Sequence, residues 1–424
     1  MKSVIQSVKG TRDFYPEDMV LRSWLYRTLR SVSEEYGYQE YEGPILERLE
    51  LYAAKSGEEL VKEQAFVFED RGGSEITLRP ELTPTLARMV AQQQNTLTFP
   101  LRWWSFGPFW RYERPQKGRT REFFQWNIDL IGSSGPEADA ELLAICASLF
   151  KKVGLSPHQA GIMVNNRRLM DSALQGINIR DDQHGNVFHL IDRKDKQTAA
   201  EWNAYGLEMG LAQVQIDGLN EILLNQDLWL QSEELVRIFT LLESMGMQDY
   251  FHFNPQVVRG LDYYTGTVFE ARDMDREGRA ILGGGRYDNL VSAVGGDPLP
   301  GVGFAMGDVM FTLILQKYGL IPSLNPQTAR ILMTVFDKDS FNVSYAAAAD
   351  LRGEGLAVIC YPEPAKLQKQ FKYADRLGAN IVLVIGPDEA AAGAVTVKDL
   401  FSHTQQTIFR AELAGFLKKL LAQA

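Results

Sequence analysis

The sequence predicts a mixed α+β chain of two or three domains, and three observations carry that prediction. β-favouring runs come in pairs around turn residues, at 65–78 and at 107–132. From about Ser156 to Asn254 the chain reads as mostly helical. Beyond a linker, Pro322-Ser323-Leu324-Asn325-Pro326, short apolar runs alternate with helical ones, the pattern of an α/β domain with parallel strands. A chain of 424 residues also exceeds one ordinary core.

Taken in order, Pro16 to Tyr36 reads as a helix: Pro16 suits the first helical position, Glu17 and Asp18 suit the positive dipole end, and Gly37 suits the stop. A strand-like segment, Tyr38 to Glu42, ends at Gly43-Pro44. Ala65 to Glu69 and Glu75 to Leu78 flank Asp70-Arg71-Gly72-Gly73-Ser74 as a hairpin. Thr83 and Pro84 are placed to cap and start a helix through Val90. The second hairpin runs from Gly107 to Gly132, breaking at Pro115-Gln116-Lys117-Gly118 and resuming from Phe123 to Ile131. Pro136 to Val153 is a helix with early acids, a late Lys151-Lys152 and a Gly154 stop. Gly283-Gly284-Gly285 permit close backbone approach or positive φ and alone make a turn. Asp308 to Tyr318 reads as a helix with Asp308 as its N-cap. In the tail, strands are expected at Arg330 to Val335, Ala357 to Cys360 and Ile381 to Ile385, with helices near Ser340 to Arg352, Lys366 to Leu377 and Arg410 to Leu421.

Composition removes several function classes. An apolar fraction of 45% and a charged fraction of 23% are those of a soluble globular protein. No apolar run approaches membrane-spanning length, and the first residues lack a signal-peptide core, so no membrane partner is expected. Cys146 and Cys360 stand far apart with no C-x-x-C pair, which favours a reducing cytoplasm and disfavours zinc. His184 and His189 lack the H-E-x-x-H pattern of a zinc helix. A net charge of −10 is wrong for a generic nucleic-acid binder, so an RNA partner would need a local basic face.

Charge is concentrated in the second hairpin, where Arg111, Arg114, Lys117, Arg119 and Arg121 lie on or beside strands that should cover a core. Guanidinium forks match phosphate oxygens two at a time and remain charged at any physiological pH, so this set suits a polyanion. In its Arg-Tyr-Glu-Arg-Pro-Gln-Lys-Gly-Arg form the hairpin resembles motif 2 of class II aminoacyl-tRNA synthetases, and within them the histidyl-tRNA synthetase family. The resemblance implies that Arg111 contacts the ATP α-phosphate and the substrate carboxylate. It further implies that Glu113 and Phe123 hold the adenine, Arg119 reaches the outer phosphates, and Gln125 and Asp129 face the histidine. The position of Asp129 is often Glu in that family.

Other stretches carry the same resemblance. The helix, strand and Pro44 near the start are similar to motif 1, which implies a homodimer interface. Thr77-Leu78-Arg79-Pro80-Glu81 implies that Glu81 and Thr83 bind the substrate α-amino group. Val258-Arg259-Gly260-Leu261-Asp262-Tyr263-Tyr264-Thr265-Gly266 and Gly283-Gly284-Gly285-Arg286-Tyr287-Asp288 match the two histidine-specific signatures. They imply an imidazole pocket lined by Tyr264 and Tyr287, with Tyr263 also binding the histidine and Arg259 on the carboxylate and α-phosphate. Arg259 cannot serve as a base, and its work there is to stabilise developing charge. Gly301 to Gly307 resembles the start of motif 3, but the Arg that usually holds the γ-phosphate is Met310 here.

The resemblance implies a class II synthetase catalytic domain over 1–325, an antiparallel sheet flanked by helices, containing a helical insertion at 156–254. It implies a C-terminal α/β anticodon-binding domain over 326–424, where Lys366, Lys369, Lys372 and Arg376 recur along one helix. The implied activity is ATP- and Mg²⁺-dependent activation of L-histidine and its transfer to tRNA(His), by a cytoplasmic homodimer with metal ligands unassigned. Met310 keeps open an alternative, a synthetase-like regulatory paralogue that senses histidine or partners ATP phosphoribosyltransferase. An RNA-binding module would leave the histidine signatures unexplained.

Overall fold

The computed structural model describes residues 4–53, 64–116, 118–258, 263–275, 280–324 and 330–423. The chain divides into two compact units, 1–323 and 324–424.

The first unit opens with α1 (Pro16–Glu35), whose Leu25, Leu29 and Val32 recur at helical spacing and are buried. A two-residue strand, β1 (Gln39–Glu40), follows and lies parallel to a later strand, so the expected five-residue run is paired only at its centre. Next come β2 (Leu46–Arg48), α2 (Leu49–Ala53), β3 (Phe66–Glu69) and β4 (Glu75–Leu78). The hairpin of β3 and β4 takes β2 along its other edge to form a small three-stranded sheet. Helix α3 (Thr83–Gln93) begins one residue earlier than its expected cap allows: Leu82 is in the cap position, and Thr83 lies inside the first turn. Pro84, with no amide hydrogen to lose, is what makes this start possible without a side-chain cap.

The charged hairpin is β5 (Leu101–Trp110) and β6 (Glu122–Ile131), paired in an unbroken antiparallel register from Leu101 opposite Ile131 to Trp110 opposite Glu122. After it, α4 (Pro136–Val153) ends at Gly154 in a left-handed cap, a conformation that costs glycine nothing.

The stretch 156–254 departs from expectation at both ends. β7 (Ala160–Asn166) and β8 (Phe251–Phe253) are strands of the large sheet, enclosing helices α5 (Arg167–Gly176), α6 (His184–Asp192), α7 (Ala199–Glu208), α8 (Gln213–Leu224) and α9 (Glu233–Ser244). β7 is buried on both faces, so it lacks the polar–apolar alternation that would have marked it as a strand.

Three strands complete the sheet: β9 (Thr267–Asp273), β10 (Leu282–Arg286) and β11 (Gly301–Gly307). The triple glycine is therefore inside a strand. Its close approach is real, since a Cβ on Gly284 would collide with the backbone of Gly303 and Phe304. Helix α10 (Asp308–Lys317) follows with Gly307 in the cap position. Asp308 has other work: it accepts the Phe124 amide at 2.9 Å and pairs with Arg12 at 2.8 Å.

The eight strands run in the order β1-β5-β6-β11-β10-β9-β7-β8. Strand alternation sends Trp104, Trp126, Ile128, Phe269, Phe304 and Met306 to one face, where they form one apolar cluster with α1 and α4. Trp126 also donates its indole N–H to Ser33 of α1 at 3.1 Å. The opposite face is left for something else.

The second unit contains β12 (Ile331–Met333), α11 (Phe341–Gly353), β13 (Val358–Cys360), α12 (Leu367–Leu377), β14 (Ile381–Val384), α13 (Pro387–Ala392), β15 (Ala394–Asp399), β16 (Thr404–Phe409) and α14 (Arg410–Gln423). Strands β13, β12 and β14 are parallel, as expected, while β15 and β16 add an antiparallel edge that was not expected. Lys366, Lys369, Lys372 and Arg376 are all exposed on or beside α12. Of the linker, Asn325 and Pro326 lie outside the described residues.

Candidate active site

Directly paired residues of an antiparallel ladder share a face, so the register alone locates the site. Asp129 lies between Trp103 and Gly303; Gln125 lies between Gly107 and Gly307; Phe123 is opposite Phe109. Gly303 is in turn opposite Gly285, and Ala305 opposite Gly283. The helix-free face of the central strands is thus lined by Gly107, Gly283, Gly285, Gly301, Gly303 and Gly307, with a few polar and aromatic side chains standing over them. A surface stripped of side chains lets another molecule reach the strands, and a Cβ on Gly303 would strike the Asp129 carboxylate.

Asp129 is buried and accepts a short hydrogen bond from the Tyr287 hydroxyl. Burial pushes its carboxyl up to about 7, with the Tyr287 bond opposing, and burial together with Asp129 holds the Tyr287 phenol well above its usual range. Tyr263 packs on Tyr264 at 4.8 Å and edge-on to Tyr287 at 6.1 Å. Tyr264 lies over Gly285, where a Cβ would meet its ring at 2.8 Å. The three tyrosines singled out from the sequence therefore meet beside Asp129. Nearby, Gln125 has a buried side-chain oxygen with no hydrogen-bond partner among the described residues.

Tyr287 is fixed from behind. Arg286, 3% exposed, faces the helix side and donates to Asp139, to Ser133 O at 2.9 Å and to Gly135 O at 3.0 Å. The next residue must point to the glycine-lined face, and its amide is held by Gly301 O at 2.7 Å. The loop before β9 is held similarly: Arg168 of α5 donates to Thr265 O at 3.1 Å and pairs with Asp288 at 3.0 Å.

The basic residues sit at the far end of the hairpin. Arg111 N bonds Arg121 O at 2.9 Å, extending the ladder past the last assigned pair, and the Arg111 guanidinium lies 5.5 Å over the Phe123 ring. Phe123 stacks on Phe109 at 6.0 Å. Glu113 pairs with Arg119 at 2.9 Å across the loop. Arg111 Nε also donates to Pro80 O at 3.0 Å, which brings the segment with Glu81 and Thr83 alongside. Arg259 and Lys117 lie outside the described residues.

Arg79 was not anticipated as a structural key. It has 0% exposure, reaches Glu42, donates to Pro108 O at 3.0 Å and Gly43 O at 3.0 Å, and lies 4.5 Å over Phe109. It fastens the small sheet to β5 and so sets where Glu81 stands. The sequence shows only an Arg between a strand and a Pro-Glu pair; its burial, which demands partners, comes from the fold.

A family model described as histidyl-tRNA synthetase matches residues 10–308, and one described as an anticodon-binding domain matches residues 330–420. A histidine–tRNA ligase of Leptospira biflexa is 37% identical over 434 aligned positions, covering 100% of this chain and 99% of the relative. The chloroplastic/mitochondrial histidine–tRNA ligase of Arabidopsis thaliana is 38% identical, covering 94% of this chain and 83% of that protein. Among solved structures, the histidyl-tRNA synthetase of Nostoc sp. PCC 7120 superposes with a TM-score of 0.80 at 28% identity, covering 99% of this chain and 100% of that one.

Proposed function

The chain belongs to the histidyl-tRNA synthetase family and has the activity of a histidine–tRNA ligase, and on that premise we propose how its own residues do the work. In this reading 1–325 is the catalytic domain, its insertion is the helical part of 156–254 between β7 and β8, which themselves belong to the large sheet, and 326–424 binds the anticodon. Glu81 and Thr83 take the α-amino group, and Arg111 takes the carboxylate and the α-phosphate. Phe123 and Glu113 hold the adenine, and Arg119 meets the outer phosphates. Gln125, Asp129, Tyr263, Tyr264 and Tyr287 receive the histidine side.

A histidine carboxylate oxygen attacks the α-phosphorus, the bond to the β-phosphate breaks, and pyrophosphate leaves. The terminal ribose hydroxyl of tRNA then attacks the acyl carbon of histidyl-adenylate, releasing AMP. The first step needs position and positive charge more than a proton donor, so Arg111, with Arg259 as its proposed partner, carries it. The observation that supports this assignment most is the buried Asp129–Tyr287 pair under a face of glycines, with a Gln125 oxygen on the same face that has no partner among the described residues. A pocket of polar groups that only an imidazole pairs rejects apolar amino acids by roughly 10⁴-fold without editing.

Mg²⁺ fits as a companion of the triphosphate. Among the described residues no three acidic, His or Cys side chains cluster as a metal site, and Mg²⁺ ordinarily binds through one or two carboxylates plus phosphate oxygens. Glu270, opposite Gly283 on the same face and now paired with Arg272, would hold it. When bound it neutralises charge on the outer phosphates.

A homodimer and a cytoplasmic location complete the proposal. Ile45 and Leu46, exposed beside Pro44, support a partner surface there, and the thiols of Cys146 and Cys360 are free. The regulatory alternative left by Met310 gives way, because the tail matches the anticodon-binding family and the Leptospira ligase matches over 99% of its own length. Histidine-dependent ATP–pyrophosphate exchange tests the site. Loss of exchange in Arg111→Ala with the fold intact is expected, and exchange that survives at the wild-type rate would refute the assignment.

A further inference from the structure

Tyr41 has no part in the sites read from the sequence, yet it is built into the amino-acid pocket. Its backbone amide is fixed by Trp104 O at 2.9 Å at the end of β1, and its ring packs on Trp103 at 5.3 Å. Trp103 is the direct register partner of Asp129. The ring also packs on the cluster that holds Tyr287, against which Tyr263 packs as well. Its hydroxyl is buried and has no hydrogen-bond partner among the described residues. Of the charged groups around that hydroxyl, Asp129 affects it most, ahead of Glu42 and Arg79.

A buried hydroxyl without a partner is costly and is rare in folded proteins. Phenylalanine would fill the same space against Trp103 without that cost, so the oxygen has a use that the free protein does not display. The position of the pocket says what the use is. Asp129 has a short side chain, and one of its two carboxylate oxygens is taken by Tyr287. A second polar group beside it is needed to hold a small ring at the end of a short side chain.

We propose that Tyr41 is a specificity-determining residue of the histidine pocket, its hydroxyl pairing with the bound imidazole and completing the polar set of Asp129 and Tyr287. The inference rests on the assignment of this pocket to histidine. Occupancy by histidine gives the orphaned hydroxyl its partner, whereas an apolar side chain of similar size leaves it unpaired. Tyr41 thus adds to the rejection of wrong amino acids as well as to the holding of the right one.

The test is Tyr41→Phe in the full-length protein, read by pyrophosphate exchange and by thermal melting with and without histidine. The expected result has three parts. The KM for histidine rises roughly threefold to tenfold, as for one lost hydrogen bond. The KM for ATP stays within twofold, and the melting temperature of the free protein is unchanged or higher, because an unpaired polar atom has been removed. A KM for histidine equal to wild type overturns the proposal. So does a variant that loses free-state stability and raises both KM values together, since the hydroxyl would then be structural. Histidine must raise the melting temperature of the wild-type protein; if it does not, the pocket assignment itself has failed, whereas an equal rise in wild type and variant removes only the role of Tyr41.

Discussion

At the scale of single residues, the pocket is governed by what burial does to Asp129. In an unfolded chain an Asp titrates near ~3.9, while in the folded protein desolvation lifts the carboxyl to about 7 despite the Tyr287 hydrogen bond. Between those values the folded state binds more protons than the unfolded one. Stability therefore falls as pH climbs from about 4 to about 7, and above that the penalty is complete, near ~4 kcal/mol. Asparagine has nearly the same shape, accepts the Tyr287 bond and has no proton to lose. Asp129→Asn should match wild type near pH 4 and become progressively more stable than it up to pH 7, while its use of histidine drops. Urea melts at pH 4.5 and pH 8 would measure this, and a stability gap equal at both would show that the carboxyl is not held in a desolvated state.

At the scale of elements, the informative place is where the hairpin tip meets α10. Gly118, with φ of +78°, approaches so closely that a Cβ there would collide with the Met310 sulfur. Position 310 therefore faces the loop that carries Arg119, and a guanidinium at 310 would stand beside the residue proposed to meet the outer phosphates. Met310→Arg is expected to lower the KM for ATP by about threefold to tenfold, with Met310→Leu unchanged; an Arg variant with an unaltered KM would mean that the load is already carried elsewhere. Elements with strong local signals were legible in the sequence: the arginine hairpin, α4 with its acids, lysines and Gly154, and the three parallel strands of the tail. Elements made by their neighbours were not. Gly283–Gly285 has no strand preference of its own and is extended because β9 and β11 grip it on both sides. β7 shows no alternation because both its faces are covered. Tyr41 follows a two-residue strand whose partner among the described residues is sixty-odd positions away, so nothing local marks it as part of the pocket. Residue type suggests caps at Thr83 and Asp308, and the chain begins each helix at that residue instead, which leaves Asp308 free to hold Arg12 and the Phe124 amide.

At the scale of the whole molecule, the two units are separate in their cores. Ile331, Met333, Ile381, Leu383, Val395 and Leu417 belong to an apolar cluster confined to the tail, while the catalytic face is backed by a cluster drawn from the first unit alone. The residues proposed to bind histidine and ATP all precede position 324. Nothing in the chemistry of adenylate formation then calls on the tail, whereas the proposed selection and holding of tRNA does, through a domain whose exposed Lys366, Lys372 and Arg376, with Lys369 paired to Glu363 at 3.2 Å, offer local positive charge in a chain of net −10. A chain ending at Ser323 should melt cooperatively and keep histidine-dependent ATP–pyrophosphate exchange within about twofold. Its charging of tRNA, measured as kcat/KM for tRNA, should fall by at least about a hundredfold, equivalent to ~3 kcal/mol of lost binding, and the remaining charging should be less sensitive to salt because fewer phosphates are neutralised. Exchange that collapses together with charging would mean that the first unit cannot hold its catalytic face alone, and charging that survives intact would mean that the acidic first unit recognises its RNA without the basic helix.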